Sequence, residues 1–197
     1  ISRLKDLRLT TVLCRNGEAR AVIAIPDGEV FRNLASEINA RVKTCSGVEL
    51  PVVVNEIPEG LLSRGHVLAL GCLADNPFIE QLYFRWLCFT DRWYPGTGGY
   101  EIRSIHDPFG TGSNVILLGG SDPAGVAAAV RKFCARLEPS PRSPLTVGWL
   151  LDVRLGPDHE PPADVSTAPP LLRLFVEGLE MPLGYNETSR LGLMYYY

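Results

Sequence analysis

The sequence is poor in several things that would name a function outright. It has no C-x-x-C pair, only three histidines and two methionines, and no charge surplus beyond −3. No stretch approaches the ~18 apolar residues without a charge that a membrane helix needs, so no membrane span is expected. The mild negative charge argues against a general nucleic-acid or anionic-membrane surface. H-E-x-x-H, G-x-S-x-G, G-x-G-x-x-G and the phosphate-cradling G-x-x-x-x-G-K-[ST] are all missing. These absences remove the usual signals for a zinc hydrolase, a serine hydrolase, a dinucleotide enzyme and a nucleotidase. His66, His106 and His159 lie far apart and read as structural or surface residues, so no metal and no cofactor is expected.

What is present is a globular chain of 197 residues, 46% hydrophobic and 21% charged. A mean hydropathy of +0.07 excludes wholesale disorder. The five cysteines (Cys14, Cys45, Cys72, Cys88, Cys134) are odd in number and mostly set among apolar neighbours. They read as buried free thiols. The chain opens on Ile1 and stops on three tyrosines, so it reads as a piece of a longer protein.

Short apolar runs at 20–26, 51–54, 66–71 and 114–118 predict buried strands. Between them, Val30, Leu34, Ile38 and Val42, with Phe31 and Ala35, mark a helix over about 28–45, with Asp27 as its N-cap and Gly47 as its stop. Asn76-Pro77 opens a second helix with the stripe Phe78, Leu82, Trp86 and Phe89. Ser121 or Asp122 caps a third, with the stripe Val126, Val130, Phe133 and Leu137. Residues 100–106 alternate and predict a strand with one wet face. Leu145, Val147, Trp149, Leu151, Val153 and Leu155 keep strict period 2 and predict one further strand. The expected fold is a layered α/β domain over 8–155, a mixed sheet with about three helices. A proline-rich linker at 156–170 and the start of a helical domain at 171–197 follow it.

Two regions carry candidate chemistry. In 91–106, Asp91, Trp93, Tyr94, Tyr100, Arg103 and His106 combine aromatic faces with hydrogen-bonding groups. Sugar rings ask for that combination. The plainer reading has the aromatics packing on the sheet or docking a following domain. In 119–125, Gly119, Gly120, Ser121 and Gly125 form a strand-glycine-helix turn that could hold an anion at a helix start. The plainer reading is close helix packing. Asn186-Glu187-Thr188 matches a glycosylation sequon.

The runs Ala21–Pro26, His66–Gly71 and Asn114–Val126 resemble the small α/β domain that precedes the catalytic domain in β-hexosaminidases and α-glucuronidases. The likeness covers about 20–137. The stretch Trp93–Arg103 also resembles a region before the helical toroid of heparinase II/III-like polysaccharide lyases. The resemblance implies a non-catalytic accessory or scaffold domain of a secreted or periplasmic bacterial carbohydrate-active protein. Its partners would be a polysaccharide or oligosaccharide and the following domain of the same chain. In such proteins the catalytic residues lie in other domains, so none is carried over. A phosphosugar or small-molecule enzyme domain built on 119–125, and a protein-interaction module, remain as alternatives.

Overall fold

A computed structural model describes residues 9–55, 65–139 and 144–159. Nine strands and three helices are described: β1 (Thr11–Arg15), β2 (Glu18–Ala19), β3 (Ala21–Ile25), α1 (Glu29–Ser46), β4 (Val52–Val54), β5 (His66–Gly71), α2 (Pro77–Tyr83), β6 (Tyr100–Ile105), β7 (Val115–Gly120), α3 (Pro123–Cys134), β8 (Leu145–Val147) and β9 (Leu151–Arg154). The architecture is the expected α/β fold. All of these elements belong to the unit Ile1–Asp158. Apart from 156–159, the proposed linker and helical start at 156–197 lie outside the described residues.

The main sheet has six strands in the order β4-β3-β5-β7-β6-β9. β3, β4, β5 and β7 run parallel, and β6 is antiparallel to both β7 and β9. The parallel strands are apolar on both faces because helices cover both. Ile23, Ile25, Leu68, Leu70, Ile116 and Leu118 face α1 and α3 in one core cluster. Val22, Ala24, Val67, Ala69, Val115 and Leu117 alternate with them and meet α2 in the other. A small second sheet, β2-β1-β8, contributes Leu13, Cys14, Leu145 and Val147 to the first cluster. The strands β1 and β2 were not anticipated, because a five-residue strand with one polar end carries little periodicity.

Local signals explain the helices. Gly47 takes φ +74° and its N–H returns to the Lys43 carbonyl, closing α1. Asn76 accepts a hydrogen bond from the Phe78 N–H at 3.0 Å, with Pro77 in the first turn of α2. Asp122 does the same for α3, accepting from the Gly125 N–H at 2.7 Å. Arg41 of α1 reaches the carbonyls of Cys134 and Leu137, which ties the two helices of one face together. All five cysteines are buried free thiols.

Four expectations need correction. Gly28, not Asp27, is the N-cap of α1; Asp27 instead pairs with Arg32 at 2.7 Å. Val30 is exposed, and Cys45 completes the buried stripe instead. α2 stops at Tyr83, so Trp86 and Phe89 leave the predicted stripe. Leu87 donates to the Leu82 carbonyl and Trp86 to that of Tyr83, a two-bond helix stop that puts Trp86 at φ +60°. Finally, the period-2 run 145–155 is two strands in two sheets. Leu145 and Val147 are buried, but at 148–150 the chain changes sheets and the inward parity flips to Leu150. The odd residues that follow face out.

Candidate functional site

The site develops where β6 meets the irregular segment 84–99. Every residue of β6 except the half-buried Arg103 is buried, so it has no wet face, contrary to expectation. Its alternation instead sorts side chains between two covered faces. Tyr100 and Ile102 join the α1/α3 cluster, and Ile105 joins the α2 cluster. Glu101 and Arg103 share the Ile105 parity and point to the α2 side.

Glu101 is fully buried there. A carboxylate so placed needs partners on both oxygens. Arg103 Nε donates to Oε1, and the Thr90 hydroxyl donates to Oε2 at 2.6 Å. Cys88 and Tyr94 lie close enough to feel both charges. Burial, reinforced by Glu101, pushes the Cys88 thiol up to about 12. Burial first, then Glu101, raises the Tyr94 hydroxyl. Burial also drives Cys72 up to about 12. Thiols held this high stay protonated at neutral pH and make poor nucleophiles.

Asp91 organises the loop above this pair. One carboxylate oxygen accepts the N–H groups of Trp93 at 2.7 Å and Tyr94 at 2.8 Å, and the other accepts the Tyr83 hydroxyl at 3.0 Å. Burial and this carboxylate push Tyr83 up to about 12. The loop is fastened further along. Gly96 N–H donates to the Ser121 hydroxyl, Gly98 N–H to Asp122 and Thr97 N–H to Asp158, each at 2.9 Å. Tyr94 turns inward and is half-buried. Trp93 turns outward and is 71% exposed.

The six residues proposed from sequence therefore separate. Asp91, Trp93, Tyr94 and Arg103 lie in or beneath one loop. Within that group Asp91 positions the backbone, Arg103 is committed to Glu101, and Trp93 is the member free to touch a ligand. Tyr100 faces the opposite side of the sheet and donates its hydroxyl to Asp152 at 3.2 Å. His106 lies past the far end of β6, with its Nε2 buried and without a hydrogen-bond partner. Tyr100 and His106 belong to no common site with the loop.

The glycine turn has a different occupant from an anion. A Cβ on Gly125 would meet the Gly99 carbonyl oxygen at 2.0 Å, and one on Gly120 would meet the Val126 nitrogen at 2.5 Å. The Asp122 carboxylate already holds the start of α3. Gly120 and Gly125 are small so that loop 96–99 and α3 can close on β7, Gly119 leaves room for the Thr90 side chain, and Ser121 is spent on Gly96.

A small cleft of about 100 Å³ opens beside the carboxyl ends of β3 and β4, lined by Asn55, Asn76 and Gln81 among apolar neighbours. The start of α2, with Asn76, Pro77 and Phe78, forms its other wall. Its volume is well below the ~300 Å³ at which small-molecule pockets begin. Among the described residues no group of three His, Cys, Asp or Glu could hold a metal ion. No helix among them is long and apolar enough to cross a membrane.

Sequence reasoning missed the outward row Trp149, Leu151, Val153 and Leu155, all exposed. Their period-2 pattern was visible, and Gly148 was the one sign of a break in it. Trp86, at 46% exposure, and Trp149, at 49%, join Trp93, so every tryptophan of the chain is at the surface. No protein-family model matches the chain, and no curated protein matches it.

Proposed function

We propose that this α/β domain is a non-catalytic accessory domain of a larger bacterial carbohydrate-active protein, a glycoside hydrolase or polysaccharide lyase acting in the periplasm or outside the cell. Its direct role in this reading is to contact a polysaccharide or oligosaccharide through Trp93. The observation that carries the reading is the contrast within one loop. Asp91 spends both oxygens on holding 91–94 rigid, and the ring presented by that rigid frame is largely solvent-exposed. A large aromatic is ordinarily placed where it is buried. A flat apolar face on a stiff support suits a sugar ring, which needs little reorganisation of either partner. The Cys72 and Cys88 thiols, held protonated by burial, offer no ready nucleophile, in keeping with a binding role.

The test is affinity electrophoresis of the full 197-residue chain through gels containing soluble acidic and neutral polysaccharides, backed by a glycan array. Retardation by at least one glycan is expected, reduced about tenfold or more in affinity by Trp93→Ala. Unchanged mobility in every gel with an empty array, or binding that Trp93→Ala leaves intact, overturns the assignment to Trp93.

A further inference from the structure

We propose that β9 is a self-pairing edge, through which two copies of this chain join their six-stranded sheets antiparallel about a two-fold axis at Val153. The inference is independent of the glycan reading. It starts from hydrogen-bond polarity. The Ser104 N–H donates to the Leu150 carbonyl, which marks 104–150 as a hydrogen-bonded pair of the β6–β9 ladder. Such pairs alternate with non-bonded ones. In the observed register, Ile102–Asp152 and Tyr100–Arg154 fall in the same class as 104–150. Asp152 and Arg154 therefore turn their backbone groups towards β6. Leu151 and Val153 turn theirs to the other side of β9, which no strand among the described residues pairs.

An edge strand is normally guarded by a proline, a lysine or a bulge. β9 has none of these within Leu151–Arg154. Its outward side chains are instead apolar and exposed, with Leu151 at 64%. Few registers are open to a second copy. Backbone polarity requires odd residues to oppose odd ones. Centring the axis on Asp152 sets two aspartates face to face, and centring it on Arg154 does the same for two arginines. Like charges directly opposite are unfavourable. Centring on Val153 pairs Val153 with its own copy and Leu151 with Leu155. It also sets Asp152 opposite Arg154 of the second copy, twice by symmetry. Apolar and charge complementarity select the same register, as a self-complementary two-fold contact demands.

The interface is short, so association should be concentration-dependent. Sedimentation of the full 197-residue chain over a dilution series is expected to show a monomer–dimer equilibrium. Val153→Lys places two ammonium groups at the axis and should raise the dimer dissociation constant at least about tenfold. Arg154→Asp, which opposes aspartates in the selected register, should raise it by a smaller factor, roughly fivefold. Circular dichroism melts check that both variants keep the fold. Val153→Cys should form an intermolecular disulfide under mild oxidation, because the paired Cα atoms lie at about 5.5 Å. A chain that stays monomeric throughout, or a dimer that Val153→Lys leaves unchanged, overturns the proposal.

Discussion

The two faces of the main sheet solve the same problem with different means. On one, α1 and α3 lay a continuous apolar cover over Ile23, Leu68, Ile102 and Ile116, and the small sheet extends it. On the other, the seven-residue α2 covers only the middle strands. The remainder falls to the irregular segment 84–99, to a buried ion pair and to the exposed rings of Phe84, Trp86, Phe89 and Trp93. The first face is made for stability. The second accepts buried charge and surface aromatics, as the proposed binding role would ask of it. If that division is right, equivalent substitutions should behave differently on the two sides.

The largest difference is expected between two phenylalanines. Phe133 of α3 is fully buried against the sheet, and Phe84 at the end of α2 is mostly exposed. Phe133→Ala should cost about 3–5 kcal/mol in urea denaturation. Phe84→Ala should stay within about 0.5 kcal/mol of the parent chain. Equal losses would break the comparison, since both faces would then be structural.

A smaller effect is expected at Glu101. Glu101→Ala strands the Arg103 guanidinium and the Thr90 hydroxyl. Arg103 keeps some solvent access, so the loss should fall below that of a fully buried pair, at about 2–3 kcal/mol. Replacing both partners, Glu101→Leu with Arg103→Leu, should recover most of it, because an apolar pair of similar volume removes the stranded charge. Denaturation midpoints of the single and double variants give the coupling directly. Full additivity would mean that the pair is not the unit holding 84–99 down.

The legibility of the two faces in the sequence differs for the same physical reason. Most of the regular face could be read from the sequence, apart from the Gly28 cap, the exposed Val30 and the strands β1 and β2. The Leu34, Ile38, Val42 spacing, the Gly47 stop and the Asp122 cap are local signals that packing reinforces. The sequence pattern misled most where a partner surface ended. The stripe from Phe78 to Phe89 continues at helical spacing, but the chain turns out of the helix after Tyr83. The alternation from Leu145 to Leu155 continues at strand spacing, but the chain changes sheets at Gly148. Periodicity records which residues are apolar and does not record where a partner surface ends. Within the candidate site, the aromatic and polar richness of 91–103 was legible. The separation of Tyr100 and His106 from the loop was not, because strand parity and length decide it. The burial of Glu101 escaped the sequence, because a lone carboxylate in an alternating run resembles a solvated one.

Trp86 yields the smallest effect and the opposite sign. It occupies the left-handed position at the end of α2, at φ +60°, where glycine is the usual residue. A side chain there costs roughly 1–2 kcal/mol in backbone energy. Trp86→Gly removes that cost and adds about 0.5–1 kcal/mol of unfolded-chain entropy, which opposes folding. It also gives up the edge contact between Trp86 and Phe89, whose ring centroids lie 6.4 Å apart. The residue is exposed, so this loss is small. The balance predicts a chain that is stabilised by about 0.5 kcal/mol, read as a small rise in the denaturation midpoint. Such a gain would mean that Trp86 is kept at the expense of the fold, and would place it with Trp93 on a surface used for binding. A loss of more than about 1 kcal/mol would instead make the tryptophan a structural cover for 84–99, and the irregular face would be held together by its aromatics as the other is by its helices.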